Sequence, residues 1–348
     1  MRVRLWRRDL TLASPVRAAH QVHATRSHLF LEIEVDGVVG LGEASPQPVS
    51  LNGDAGIDDV VAELEIFVLP QLVEMMRREC SSPHWARVSH LAGSRRSSAP
   101  ASALLEMALV DLDLRLRGEE VKKLWAPRFD TPTQFTVSLL DEQEWATAGA
   151  AIQVRAKVSA SPVSDAQWCR LADLGRPVLL DFNCSAENVD SVCEVVQRAG
   201  NYVQVVAAEQ PFAPGNIVDH ARLADVLAVA VSLDEGVRNR RDLDQISRYG
   251  AARMICVKPA RVGGFAQAKT MIEHAKKLGL GVYLGGFFES PLGRCANRAL
   301  AHHLVSLPSD LLEVNFDYDD VLRVDPWGLG FLAGDALEAS EPLVTWRG

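Results

Sequence analysis

The chain lacks what a membrane span, a disulfide framework or a nucleic-acid surface would require. No run reaches the ~18 uncharged apolar residues of a transmembrane helix. Six cysteines (Cys80, Cys169, Cys184, Cys193, Cys256 and Cys295) are scattered over 348 residues with no CxxC pair. That scatter excludes a zinc ribbon and reads as the reduced thiols of a cytoplasmic protein. No histidine is placed to activate Cys184 or Cys256, so both read as small packing residues. Positive charge is also in deficit: 36 lysines and arginines face 45 aspartates and glutamates, a net charge of −9. A phosphate backbone needs a basic face, so nucleic acid is not an expected partner. The basic N-terminus, MRVRLWRRDL, has no apolar stretch behind it and reads as a strand rather than a signal peptide. Gly263-Gly264 lacks the spacing of a dinucleotide fingerprint. His302-His303 has no acidic partner one helical turn away, which argues against a metal role.

What is present falls into two patterns. HLFLEIEVDGVVGLGEA, His28 to Ala44, alternates as a hairpin that turns at Asp36-Gly37. Asp58 to Met76 has helical apolar spacing. Ser98 to Leu116 reads as a second helix that stops near Gly118. The polar stretch Ser81 to Pro100 reads as a loop. Residues 1–122 are therefore expected to form an α+β domain. From about Thr133 the pattern changes to β-branched runs separated by helical spacers: TQFTVSLL, AIQVRAKV, RPVLLDFN, YVQVVAAEQ, VLAVAVSLDE, RMICVKPA, LGVYLGGF and LLEVNFDY. Eight continuous apolar runs imply parallel strands buried on both faces and predict an α/β fold, a (β/α)8 barrel over residues 123–320. The tail, residues 321–348, carries WGLGF and PLVTW and is expected to pack back on the first domain.

Five charged residues sit at the ends of successive runs, about one β/α unit apart: Lys157, Asp181, Glu209, Asp234 and Lys258. The C-terminal strand ends of such a barrel carry catalysis. Three carboxylates with no histidine or thiolate among them suit a hard cation, Mg²⁺ with Mn²⁺ as a substitute. Two lysines on strands two and six face one another across the cavity. Burial and a nearby cation both lower a lysine's proton affinity, which is what a lysine base requires. A divalent ion would bind a substrate carboxylate and stabilise the enediolate left when the α-proton is removed.

The motifs around these residues carry a resemblance. They are EQPF at Glu209–Phe212, VDHARL at Val218–Leu223, SLDEG at Ser232–Gly236, KPARVGGFAQA at Lys258–Ala268 and GGFFESPLGRCANRALA at Gly285–Ala301. The chain resembles the enolase superfamily. Within it, the likeness is to the muconate-lactonising subgroup and its o-succinylbenzoate synthase and N-succinylamino acid racemase family. No histidine ends the seventh run, so the mandelate-racemase pattern is absent. The resemblance implies a barrel with an α+β cap, Lys157 as acid/base and Lys258 as the opposing lysine. It also implies Asp181, Glu209 and Asp234 as Mg²⁺ ligands. Asn183 and Glu235 would support the metal shell or the substrate, and Glu289 would sit at the site's edge. The segment Pro15–Arg26 would be a cap loop that closes over the substrate, with Arg26 in contact with it. The implied substrate is a small-molecule carboxylate, with no membrane partner and with room for a homo-oligomer. The leading activity is the dehydration that makes o-succinylbenzoate in menaquinone synthesis. N-succinylamino acid racemisation, dipeptide epimerisation, muconate cycloisomerisation and a non-catalytic role stand as alternatives.

Arg155 departs from the family pattern, and Cys184-Ser185-Ala186 after Asn183 and Gly236 after Glu235 are also unusual for it. The K-x-K on the second barrel strand reads R-A-K here, with Arg155 first. Alternation puts Arg155 and Lys157 on one face. Arginine stays protonated, so it can hold a carboxylate or depress Lys157, but it cannot act as an ordinary base.

Overall fold

A computed structural model of the protein describes residues 1–17, 22–79, 98–139, 151–158, 163–312 and 320–347. Strands β1 (Arg2–Arg17), β2 (Val22–Val35) and β3 (Val38–Ala44) form an antiparallel sheet. Val35 pairs with Val38 across a two-residue turn. Both turn residues, Asp36 at φ 51° and Gly37 at φ 79°, are left-handed, as a hairpin with the natural strand twist requires.

The expected cap loop at Pro15–Arg26 takes a different form. Pro15–Arg17 complete β1 and Val22–Arg26 open β2, with Val16 paired to His23 and Thr11 to Thr25. The β-branched residues in this stretch favour extended pairing, so β1 and β2 form a long ribbon; residues 18–21 lie outside the described residues.

The first predicted helix spans Ile57–Glu63 and Leu69–Glu79, with a π-turn at Leu64–Val68 between them. Pro70 has no N–H to donate, and its ring crowds the carbonyl four residues back; the wider turn just before it relieves both. Residues 80–97, with Cys80 and most of the expected polar loop, lie outside the described residues, and Pro100 belongs to the next helix. That helix, Ala99–Leu116, is buried on almost every side. Its close approach to β3 depends on Gly40 and Gly42: a Cβ at either would overlap helix backbone at Ala108 or Leu104. Leu29, Leu31 and Ile33 meet Leu104, Leu105 and Leu109 in the cap's core.

The second sheet is parallel and runs in chain order: β4 (Gln134–Ser138), β5 (Gln153–Lys157), β6 (Val178–Asp181), β7 (Val205–Glu209), β8 (Ala230–Leu233), β9 (Met254–Val257) and β10 (Gly281–Leu284). Helices pack outside it, and β5 and β6 are buried at every position, as the continuous apolar runs require. The segment Ser309–Asp310 joins the two edge strands. Asp310 N–H donates to Leu284 O (2.9 Å), and Ser309 O accepts from Gln134 N–H (3.1 Å). The eighth predicted run, LLEVNFDY, falls mostly on residues 313–319, outside the described residues.

Beyond it, β11 (Leu322–Val324) pairs with β12 (Phe331–Ala333). Strand β13 (Val344–Arg347) pairs with β1, Leu5 opposite Val344, so the tail returns to the cap sheet. No helix among the described residues is long and apolar enough to cross a membrane.

Candidate active site

Strand register builds the site. Lys157 pairs with Asp181 and Asp181 with Glu209, so three charged side chains stand level at the C-terminal ends of β5, β6 and β7. Asp234 follows β8. Gln210, at φ 39°, holds that turn by accepting from Asp234 N–H (2.8 Å) and Gly236 N–H (3.1 Å). Lys258 follows β9, and its Nζ lies 2.7 Å from Asp234 Oδ2.

Arg155 rises from two residues below Lys157 and enters the centre of the acidic group. Its Nη2 donates to Glu209 Oε1 at 2.7 Å and its Nε to Glu209 Oε2 at 3.0 Å. The same Nη2 lies 2.6 Å from Asp181 Oδ2 and 3.9 Å from Asp234 Oδ2. Glu209, Asp234 and Cys256 offer ligand atoms within 4.8 Å of one another, whereas Asp181 meets them through the guanidinium. Cys256 is buried, and burial with the nearby Asp234 charge pushes its thiol far up, consistent with a packing role.

Asp181, Glu209 and Asp234 are all buried. Burial, reinforced by the neighbouring Glu209 and Glu235 charges and opposed by Arg155, pushes the Asp181 carboxyl up to about 8. Glu235 Oε2 accepts no hydrogen bond among the described residues, and Asp181 Oδ2 meets the Arg155 guanidinium. A buried carboxylate oxygen without a partner beside the buried carboxylates of Asp181, Glu209 and Asp234 fits a hard divalent cation.

The two lysines are biased in opposite directions. Burial, and then the Arg155 charge, pull Lys157 below its ordinary value. Burial also pulls on Lys258, but its ion pair with Asp234 outweighs that and holds the amine above its ordinary value. Burial would raise Asp234, yet Lys258, Arg261 and Arg155 together hold it well below the usual carboxylate range. Two adjacent phenylalanines cover the amines: Lys157 Nζ is 5.9 Å from the Phe288 ring centre and Lys258 Nζ is 4.9 Å from that of Phe287.

The remaining expected residues divide. Asn183 contributes its backbone N–H to Asp181 Oδ1 at 3.0 Å. Glu235 is buried beside Asp234, whose charge adds to burial in raising it. Glu289 props the loop after β10, accepting from Phe287 N–H (2.9 Å) and Asn297 Nδ2 (3.2 Å). Arg26 donates to Ser45 O (3.0 Å) and Pro46 O (3.1 Å), with its guanidinium 5.2 Å from the Phe288 ring centre. Burial lowers Arg26 to about 10. Asp310, Arg261, Phe287 and Phe288 were not singled out from sequence. Asp310 and Arg261 carry no strand-end rhythm, and an aromatic pair in an apolar run looks like core.

Two family models match the chain. One, the mandelate racemase / muconate lactonizing enzyme N-terminal domain, covers residues 1–125, and the other, enolase C-terminal domain-like, covers residues 145–331.

The chain belongs to the enolase superfamily.

It is an enzyme of that superfamily, and membership implies a divalent metal ion, which the buried acidic cluster fits. Among curated relatives, the N-succinylamino acid racemase of an Amycolatopsis species is 26% identical over 88% of this chain and 83% of its own length. The o-succinylbenzoate synthase of Bacillus subtilis is 26% identical over 92% of this chain and 86% of its own length. The aromatic dipeptide epimerase of Herpetosiphon aurantiacus is 27% identical over 84% and 83%. An enolase-superfamily member from Listeria innocua has the same fold, with a TM-score of 0.83, 20% identity and coverage of 99% and 97% of the two chains.

Proposed function

We propose that this enolase-superfamily enzyme removes the proton α to the carboxylate of a small-molecule substrate, and that its reaction is the dehydration yielding o-succinylbenzoate. Asp181, Glu209 and Asp234 would hold Mg²⁺, or Mn²⁺ in its place. When bound, the ion supplies a Lewis acid for the substrate carboxylate. Lys157, the lysine held low by burial and Arg155, takes the α-proton. Lys258 stays protonated and faces the charge that develops on the carboxylate. The bond to the β-hydroxyl then breaks, and the Lys157 ammonium returns its proton so that the hydroxyl leaves as water.

The observation that carries this reading is the Lys258–Asp234 contact at 2.7 Å. Dehydration needs one lysine as base, and the geometry sets the two apart: Lys258 is ion-paired to Asp234, whereas Lys157 Nζ stands 5.9 Å from the Phe288 ring centre. Racemisation needs both lysines to exchange roles as bases. It remains the second reading because relatives named as a racemase and an epimerase match at the same identity as the synthases.

NMR in D₂O with Mg²⁺ separates the two, using the cyclohexadiene precursor alongside a panel of N-succinyl amino acids and dipeptides. Formation of the aromatic product without amino-acid deuteration supports dehydration. Deuterium at an amino-acid α-carbon without aromatic product overturns it in favour of racemisation or epimerisation.

A further inference from the structure

Arg155 stands among the carboxylates that would hold the divalent ion. Its Nη2 lies within 2.7 Å of both Asp181 and Glu209. A divalent ion on those two carboxylates needs oxygens at about 2.0–2.1 Å, so it competes with the guanidinium for the lone pairs the guanidinium now occupies. Arginine is permanently charged and forks onto carboxylates, so it is a stronger occupant than a point-charged lysine at the same position.

A second acceptor lies beside it. Asp310 Oδ2 is 3.8 Å from Arg155 Nη1. That carboxylate is held in place: Thr136 Oγ1 donates to its Oδ1 at 2.8 Å, its N–H donates to Leu284 O, and its carbonyl accepts from Arg294 at 2.8 Å. Its side chain is 26% exposed, less buried than Glu209 or Asp181, so a cation resting there sheds less water. Asp310 is therefore a rigid, partly solvated receiver one contact away from the carboxylate group.

We propose that Arg155 is a resident counter-ion that occupies the carboxylate group until a divalent ion arrives, and that Asp310 receives it, so that this pair sets the enzyme's metal affinity. The proposal rests on the metal-site reading above. Arg155 then is a positioning residue: it keeps three buried carboxylates from repelling one another, at the cost of competing with the ion. Asp310 offsets that competition by giving the displaced guanidinium a partner.

The test is Mn²⁺ binding by the full chain without substrate, followed by the EPR signal of free Mn²⁺, for wild type, Arg155→Met, Asp310→Asn and the double variant. Arg155→Met should bind at least tenfold more tightly than wild type and unfold at a lower temperature when Mn²⁺ is withheld. Asp310→Asn should weaken binding at least fivefold when Arg155 is present and less than twofold when it is not. An unchanged or weaker affinity in Arg155→Met, or an Asp310→Asn effect equal in both backgrounds, overturns the proposal. If Arg155→Met fails to fold, Arg155→Lys serves in its place, with tighter binding and a smaller Asp310→Asn effect expected and equality overturning the idea. Binding at one affinity by every chain removes this proposal alone, whereas no binding by any of them removes the metal-site reading with it.

Discussion

Asp54 of the cap and Arg261 of the barrel form a buried ion pair, with Arg261 Nη2 2.9 Å from Asp54 Oδ2 and Nε 3.1 Å from Oδ1. The third nitrogen of the same guanidinium reaches Asp234 Oδ1. One side chain therefore joins the cap to a candidate metal ligand. Arg238 adds a second barrel contact to Asp54 at 3.0 Å.

Asp54→Ala leaves the Arg261 charge buried with half its partners gone, a change that costs about 3 kcal/mol. Denaturant unfolding should show that loss. KM for the carboxylate substrate should rise more than kcat falls, because the cap seats less firmly on the barrel mouth. An unchanged midpoint and unchanged KM would show that the pair does not couple the two domains.

Lys157→Met should lower turnover by a factor on the order of a thousand or more, the contribution expected of a positioned general base. The protein should remain folded, because the variant removes a buried charge that burial already disfavours. Lys258→Met should instead free Asp234 from its 2.7 Å partner, so it should lose activity and thermal stability together. Circular dichroism melts beside the steady-state assay separate the two patterns.

Glu106 gives a pH signature in stability. It lies on the helix Ala99–Leu116 and accepts from Phe265 N–H and from Ala266 N–H (3.0 Å) at the start of the barrel helix Phe265–Lys277. Burial outweighs those two hydrogen bonds and raises the carboxyl to about 7. The folded value exceeds the unfolded one, so the contribution is fully present below about pH 4.5 and is lost as pH rises toward 7. The loss is at most on the order of 3 kcal/mol. Glu106→Gln lacks this titration: its stability relative to wild type should be lowest near pH 5 and improve through pH 8. A constant difference between the two proteins across that range would contradict the assignment.

Gly42→Ala should destabilise the cap by about 2 kcal/mol, the scale of an overpacked core, because its methyl meets backbone of the Ala99–Leu116 helix at Leu104. Gly37→Ala meets nothing nearby and suffers only from its left-handed φ of 79°. Urea midpoints of the two variants should therefore differ, with Gly42→Ala the lower.

Much of this enzyme was legible before any coordinate. The rhythm of Lys157, Asp181, Glu209, Asp234 and Lys258 is local in origin: each closes an apolar run, and parallel register brings the ends of such runs to one rim. The hairpin at Asp36-Gly37 was equally readable, because a two-residue turn with both φ positive has few sequence solutions. The interruption of the first helix was less so. Pro70 marks the place, but whether the chain breaks, kinks or widens into a π-turn depends on what packs around it.

The sequence by itself determined the α/β alternation, the identity of the five rim residues and the family they belong to. Tertiary structure alone decided what those residues do to one another. That Arg155 reaches Asp181, Glu209 and Asp310 together, that Lys258 is held charged while Lys157 is depressed, and that Arg261 serves both Asp54 and Asp234 all depend on distances between strands remote in the chain. Coulomb energy and desolvation vary with separation and burial, and periodicity along one strand carries neither quantity.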